Sequence, residues 1–145
     1  MTETSFIRQD TDYAVRALIH LALAPDEKST GSEVAASCRI PKSFAYKILK
    51  KMARSGLVDS KCGRTGGYRL SADPEKITLA DVVTTMQGPV TMRRCLLESR
   101  DCPFSGECAV SAKWSEVQRV IADFLGRTTL QELVESFRES QNAEE

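Results

Sequence analysis

Apolar positions along the chain fall into short helical stripes, interrupted once by an alternating pair of strands. Between residues 11 and 24, Tyr13, Ala14, Ala17, Leu18, Leu21 and Ala22 recur on one face at helical spacing. Asp10 or Thr11 is placed to cap this helix, and Pro25 ends it. Thr30-Gly-Ser-Glu33 has the spacing of a capping box, in which a hydroxyl and a carboxyl each satisfy a free backbone N–H. Val34, Ala35 and Ala36 follow, giving a short second helix with Cys38 near its end as a small apolar filler. Pro41 stands at the first turn of a third helix, where a missing N–H is tolerated. Ala45, Ile48, Leu49 and Met52 then follow i, i+3, i+4, i+7, and Gly56 supplies the stop.

The other side of that third helix carries Ser43, Tyr46, Lys47, Lys50 and Arg54. Two helices joined by a tight turn, the second with a polar, basic outer face, form a helix-turn-helix pattern. An ordinary basic surface helix has the same pattern, so the next segment matters. Leu57-Val58 opens a strand, residues 62–67 make a Gly-rich turn, and Tyr68-Arg69-Leu70 returns. A hairpin directly after a helix-turn-helix is a wing. Arg64 and Thr65 belong to its tip, where Arg64 is placed to meet phosphate or enter a minor groove. Gly66 and Gly67 permit close backbone approach there.

Thr78-Leu-Ala-Asp81 caps a further helix that runs through Met86 and stops at Gly88-Pro89. Val110, Trp114, Val117, Ile121 and Phe124 alternate spacings of four and three, as in two helices packed along their length. A helix packed on its own domain is the simpler alternative, but the continuity of the seam favours a dimer interface. Residues 129–137 form a last amphipathic turn or two with Leu130, Leu133, Val134 and Phe137 inward, and residues 140–145 read as a frayed tail. The expected fold is mainly α with a small β-hairpin wing. Its parts are a winged helix-turn-helix DNA-binding domain over 1–90, a cysteine loop over 91–108, and a dimerisation helix with a short C-terminal helix over 109–145.

Charge sharpens this picture. The 145 residues have zero net charge, yet Arg39, Lys42, Lys47, Lys50, Lys51, Arg54, Lys61, Arg64 and Arg69 lie within residues 39–69 against Asp59 alone. Such segregation is the footprint of a site for a polyanion. Ser43, Tyr46, Lys47 and Lys50 are expected to face a DNA major groove, and Lys42, Lys51 and Arg54 to meet phosphates. No apolar run spans a bilayer and the N-terminus lacks a signal-peptide core, so a cytoplasmic chain is expected. No nucleophile–base pair and no phosphate-binding loop is present, which argues against an enzyme. His20, the only histidine, reads as structural.

Cys95, Cys102 and Cys108 lie in a loop marked by Pro103 and Gly106. Thiolates are soft ligands that suit iron–sulfur clusters, zinc or copper(I). The paired C-x-x-C spacing of structural zinc is missing, and clusters accept looser spacing. Redox thiols without metal remain an alternative. Cys62, in the wing, reads as an exposed residue outside the cluster ligands, with direct oxidation beside DNA as its rival role.

Several segments taken together resemble one family. They are Tyr13-Ala14-Val15-Arg16, Lys47-Ile-Leu49, Gly56-Leu57-Val58, Gly66-Gly67-Tyr68-Arg69-Leu70 and the three-cysteine loop. In this order and spacing they resemble the IscR/NsrR/RirA family of bacterial winged-helix regulators over about residues 6–137. The resemblance implies a homodimer on palindromic promoter DNA, with an iron–sulfur cluster on the three cysteines setting DNA affinity. It also implies, as in the nitric-oxide-sensing branch, a fourth ligand from an acid on the first helix of the partner subunit. That position falls on Asp12, with an acid stabilised by the helix dipole as the alternative. Asp10, Glu98, Asp101 and Glu107 are substitutes. Three cysteines and an acid favour 4Fe–4S over 2Fe–2S. The sequence departs from the family in two places. Cys62-Gly63 stands where the family commonly has Arg-Gly, and Ser111 stands where the IscR branch has histidine, so a Cys/Cys/Cys/His site is not available.

The functional expectation is a homodimeric, cluster-responsive transcription regulator, acting as a repressor and sensing nitric oxide, iron or redox state. Two alternatives stay open. One is a metal-free winged-helix regulator that senses thiol oxidation or a partner protein. The other is an iron–sulfur electron-transfer or scaffold protein, in which the basic segment has no role.

Overall fold

Thr30 and Glu33 exchange both bonds of a capping box. Thr30 Oγ1 accepts from Glu33 N at 3.2 Å, and the Glu33 carboxylate accepts from Thr30 N at 2.7 Å. This fixes the start of helix α2 (Gly31–Cys38). The computed structural model describes residues 5–92 and 108–144. The other elements are α1 (Gln9–Leu23), α3 (Lys42–Ser55), β1 (Val58–Lys61), β2 (Gly67–Leu70), a 3-10 turn (Pro74–Lys76), α4 (Leu79–Gln87), α5 (Ala109–Arg127) and α6 (Leu130–Ala143). The architecture is a mainly helical winged helix with a two-strand hairpin, followed by C-terminal helices.

Helix α1 starts earlier than its polar residues suggest. Arg8 holds the cap position without a side-chain cap, so neither Asp10 nor Thr11 caps the helix. Asp10 instead accepts from Thr11 N at 3.0 Å and pairs with Arg8 at 2.8 Å. Thr11 is fully buried, and its hydroxyl donates to Gln87 Oε1 at 2.8 Å. A tertiary partner has taken the hydroxyl that capping would have used. Pro41 also lies one step outside its expected place. It precedes α3 with extended backbone, and its carbonyl accepts the first helical bond from Ala45 N at 3.0 Å.

The stripe residues Ala45, Ile48, Leu49 and Met52 are buried as their spacing requires. Gly56 then takes a left-handed φ of +86°, and the amides of Gly56 and Leu57 return to the carbonyls of Ala53 and Met52. This closure of orphan carbonyls turns the chain directly into β1. The hairpin is antiparallel, with register from Val58↔Leu70 to Lys61↔Gly67. A further rung roots it in the helical body. Ser29 and Tyr68 exchange backbone bonds of 2.9 and 2.8 Å.

One core joins the helices. Leu18, Leu21, Val34, Ile48, Leu49 and Met52 meet Val58, Ile77, Val82, Met86, Leu130 and Val134. Leu130 N donates to Ile77 O at 2.8 Å and Leu79 N to Thr128 O at 2.9 Å, so the starts of α4 and α6 are stitched together. Helix α6 runs to Ala143, well past the turn or two expected, and takes in most of the stretch read as a frayed tail. Phe137, expected inward, is exposed beside a cavity of about 380 Å³ that is also lined by Ile19, His20, Leu23 and Cys38. Leu130 and Val134 already fill the available core, leaving the next turn of α6 at its edge.

Helix α5 packs against α4, and no residue along it is fully buried. Val110, Val117 and Phe124 are exposed, and Trp114 and Ile121 are half-buried. Val120, outside the expected seam, is the most exposed of the large apolar residues on this helix at 64%.

Candidate nucleic-acid interface and cysteine site

Burial of one stripe of α3 forces the other outward. Lys42, Ser43, Tyr46, Lys47, Lys50, Lys51 and Arg54 are all exposed, as are Arg64 and Thr65 in the wing. Among the described residues, Lys42, Lys47, Lys50, Arg54, Lys61 and Arg64 have no ion-pair partner; Arg69 pairs with Asp59 at 3.8 Å. The structure therefore brings most of the basic residues to one helix face and the adjoining hairpin without an ion-pair partner. A surface of that kind attracts a polyanion through its field and through release of condensed counterions.

Two of the expected contacts also have internal partners. The Tyr46 hydroxyl lies 3.3 Å from Ser32 Oγ, and its ring covers Gly31 at the start of α2. The Lys51 ammonium donates to the carbonyl of Met86 at 2.8 Å. Phe44 is a residue that the sequence reading passed over. It is exposed on α3, and its ring meets Tyr13 of α1 edge-on at 5.8 Å between centroids. Its lack of charge hid it from a search for phosphate contacts.

The wing turn is shaped by glycine. Gly63 has φ +102°, and a Cβ on Gly66 would lie 2.2 Å from the Lys61 carbonyl oxygen. Cys62 is exposed there. Tyr68 ionises above its usual range, first because burial disfavours the phenolate and then because Tyr46 and Cys62 lie nearby. Cys38 is half-buried, with its thiol directed to the Arg16 carbonyl at 3.5 Å. Burial pushes its pKa up, and the Arg16 charge partly opposes that.

Of the three loop thiols, Cys108 lies among the described residues and immediately precedes α5, exposed and free of any disulfide. Cys95, Cys102, Glu98, Asp101 and Glu107 lie outside the described residues. The donor chemistry suits a soft metal centre: Cys108 is accessible, and the sequence places two further thiols close along the chain. Asp12 sits in the first turn of α1, half-exposed, and pairs with Arg16 at 2.8 Å. Asp10 is mostly covered and is held by Arg8 and Thr11 N, which leaves Asp12 the more accessible of the two acids.

A helix-turn-helix, a wing and an unneutralised basic face define a DNA-binding winged-helix protein. The chain belongs to the Rrf2 family, described as iron-dependent transcriptional regulators, whose family model matches residues 7–136. It is a family of DNA-binding transcription regulators and not of enzymes. A protein of Aquifex aeolicus described as an HTH-type transcriptional regulator is 33% identical over 124 residues, covering 84% of this chain and 86% of that one. The HTH-type transcriptional regulator NsrR of Shouchella clausii is 30% identical over 126 residues, covering 86% and 85%. The solved structure of CymR, the global cysteine regulator of B. subtilis, superposes with a TM-score of 0.75 at 23% identity, covering 94% and 98%. Among the described residues, no helix is long and apolar enough to cross a membrane.

Proposed function

We propose that this chain is a dimeric repressor whose operator affinity is set by an iron–sulfur cluster held by Cys95, Cys102 and Cys108. The fourth ligand is the partner's Asp12, in a cluster of the 4Fe–4S type. The observation that supports the DNA side is the unpaired basic face of α3 and the wing. Ser43, Tyr46, Lys47 and Lys50 face the major groove, with Lys47 or Lys50 donating to guanine, while Lys42 and Arg54 meet phosphate. Arg64 and Thr65 act from the wing. Supporting the dimer is the apolar row of α5, with Val110, Val117 and Phe124 exposed and Trp114 and Ile121 half-buried. Two copies then place their α3 helices about one DNA turn apart, roughly 34–36 Å.

When bound, the cluster supplies a centre that responds to nitric oxide, iron supply or redox state. The chain's own residues do the rest. The segment carrying Cys95 and Cys102 joins α5 at Cys108, so a change in thiol ligation acts on the first turn of the helix that pairs the subunits. Such a change matters only to the extent that the two ligation states bind DNA differently.

Oxygen-free purification with absorbance and native mass spectrometry tests the cluster, and a gel shift before and after nitric oxide tests the linkage. Coloured protein whose operator affinity changes with nitric oxide is expected. Colourless protein, with the triple Cys95, Cys102 and Cys108→Ser variant binding DNA unchanged in every redox condition, overturns the reading. Exposure of Cys62 in the wing favours a second reading, a metal-free regulator controlled by thiol oxidation. Loss of oxidant sensitivity in Cys62→Ser alone selects it.

A further inference from the structure

By charge, Lys51 belongs with the phosphate contacts of α3. Its ammonium, however, donates to the Met86 carbonyl at 2.8 Å. That carbonyl is one of the last four of α4, which lack an intrahelical partner, and the cation sits at the negative end of the helix. The next residue reaches the opposite way. Gln87 Oε1 accepts from Thr11 Oγ1 at 2.8 Å and from Arg8 N at 3.1 Å, and Gln87 Nε2 donates to Phe6 O at 3.1 Å. Gly88 follows with φ +83°. Beyond it, Gln118 of α5 donates to Val90 O at 2.5 Å and accepts from Met92 N at 2.7 Å. Residues 86–92 are thus bonded to α3, the proposed recognition helix, to the start of α1 that carries Asp12, and to the helix that follows the cysteines.

We propose that the C-terminal end of α4 couples the cysteine segment to the recognition helix, with Lys51 and Gln87 as positioning residues and not DNA contacts. This rests on the cluster-dependent reading above. Met92 and Cys108 flank the stretch that carries Cys95 and Cys102, so any shift between these two residues is felt where Gln118 grips Val90 and Met92. Only Gly88 and Pro89 separate that grip from Gln87. The shift is passed to the Met86 carbonyl, on which Lys51 is fastened, and to the amide of Gln87, which holds the start of α1. Charge-assisted bonds of this kind are strong enough to bias the placement of a helix. A bond that differs between the two cysteine states contributes to the difference in their DNA affinity.

The test uses full-length protein, purified without oxygen, with and without its cluster. The probe is a duplex selected from a random pool by the parent protein. Affinity is measured across a KCl series for the parent, Lys51→Met, Lys51→Arg and Lys42→Met. Lys51→Met is expected to keep the parent's salt slope in the cluster-free state, whereas Lys42→Met lowers that slope by about one. Lys51→Met is also expected to shrink the affinity ratio between the two cluster states by roughly fivefold or more, and Lys51→Arg, which keeps a charged donor, to restore it. Thermal melts confirm that each variant is folded, and Lys51→Gln serves if Lys51→Met is not. A slope lowered by about one in Lys51→Met returns the residue to the phosphate contacts and overturns the proposal. So does an unchanged ratio in a parent that shows one. A parent with no ratio at all overturns the cluster reading and the coupling with it.

Discussion

The ring of Tyr46 occupies the space where a side chain on Gly31 would stand, with Cε1 2.6 Å from the position of a Cβ. Gly31 is buried at the first turn of α2, and Tyr46 lies on the second turn of α3. The contact sets how closely the two helices of the helix-turn-helix approach. Gly31→Ala must displace the ring or spread the helices, at a cost of about 1–3 kcal/mol in urea unfolding. The same change in a Tyr46→Ala background is expected to cost much less. An equal cost in both backgrounds removes Tyr46 as the cause.

The wing and the recognition helix are expected to fail differently. Arg64→Ala weakens binding about equally on all duplexes and lowers the salt slope by about one. Lys47→Ala, if it removes a guanine contact, costs about 1–3 kcal/mol on the preferred duplex and far less on unrelated DNA. Anisotropy titrations on both duplexes across a salt series separate the two. Identical behaviour of the variants contradicts the assigned roles.

Helix α5 carries its apolar row unburied, with Val117 39% and Phe124 52% exposed. A carboxylate placed there disturbs little of the subunit's own packing. Val117→Asp and Phe124→Asp are each expected to give folded monomers by sedimentation, with stability within about 0.5 kcal/mol of a surface change. Operator binding falls because two half-sites are no longer engaged together. A variant that stays dimeric moves the interface off this row.

Cys38 offers a test of burial by pH. Its folded pKa is raised, so the folded chain holds the thiol proton more tightly than the unfolded chain does. Stability is therefore expected to fall as pH rises above the range where an ordinary thiol ionises, and Cys38→Ala is expected to flatten that fall. At mildly alkaline pH, Cys38 should also react with iodoacetamide more slowly than the exposed Cys62 and Cys108, as peptide mass spectrometry can read. Equal rates at the three sites contradict its burial.

Local chemistry made much of this molecule legible. The capping boxes at Thr30 and Thr78, the buried stripe of α3 and the stop at Gly56 are formed by near neighbours, so their spacing alone defines them. The charge bias of residues 39–69 is likewise a property of composition, and it points to the face proposed to meet DNA. Sequence order and spacing also pointed to the family. Tertiary structure decided where several polar groups spend their bonds. Thr11 bonds Gln87 in place of capping its own helix, and Lys51, although exposed, donates to the Met86 carbonyl. Both partners lie far along the chain, and nothing in local spacing reveals a bond that exists only once α4 has packed beside α1 and α3. For the same reason α6 ran longer and Phe137 lay further out than its periodicity suggested. A pattern shows which face of a helix is apolar, but the depth of the core beneath that face is set by the other helices.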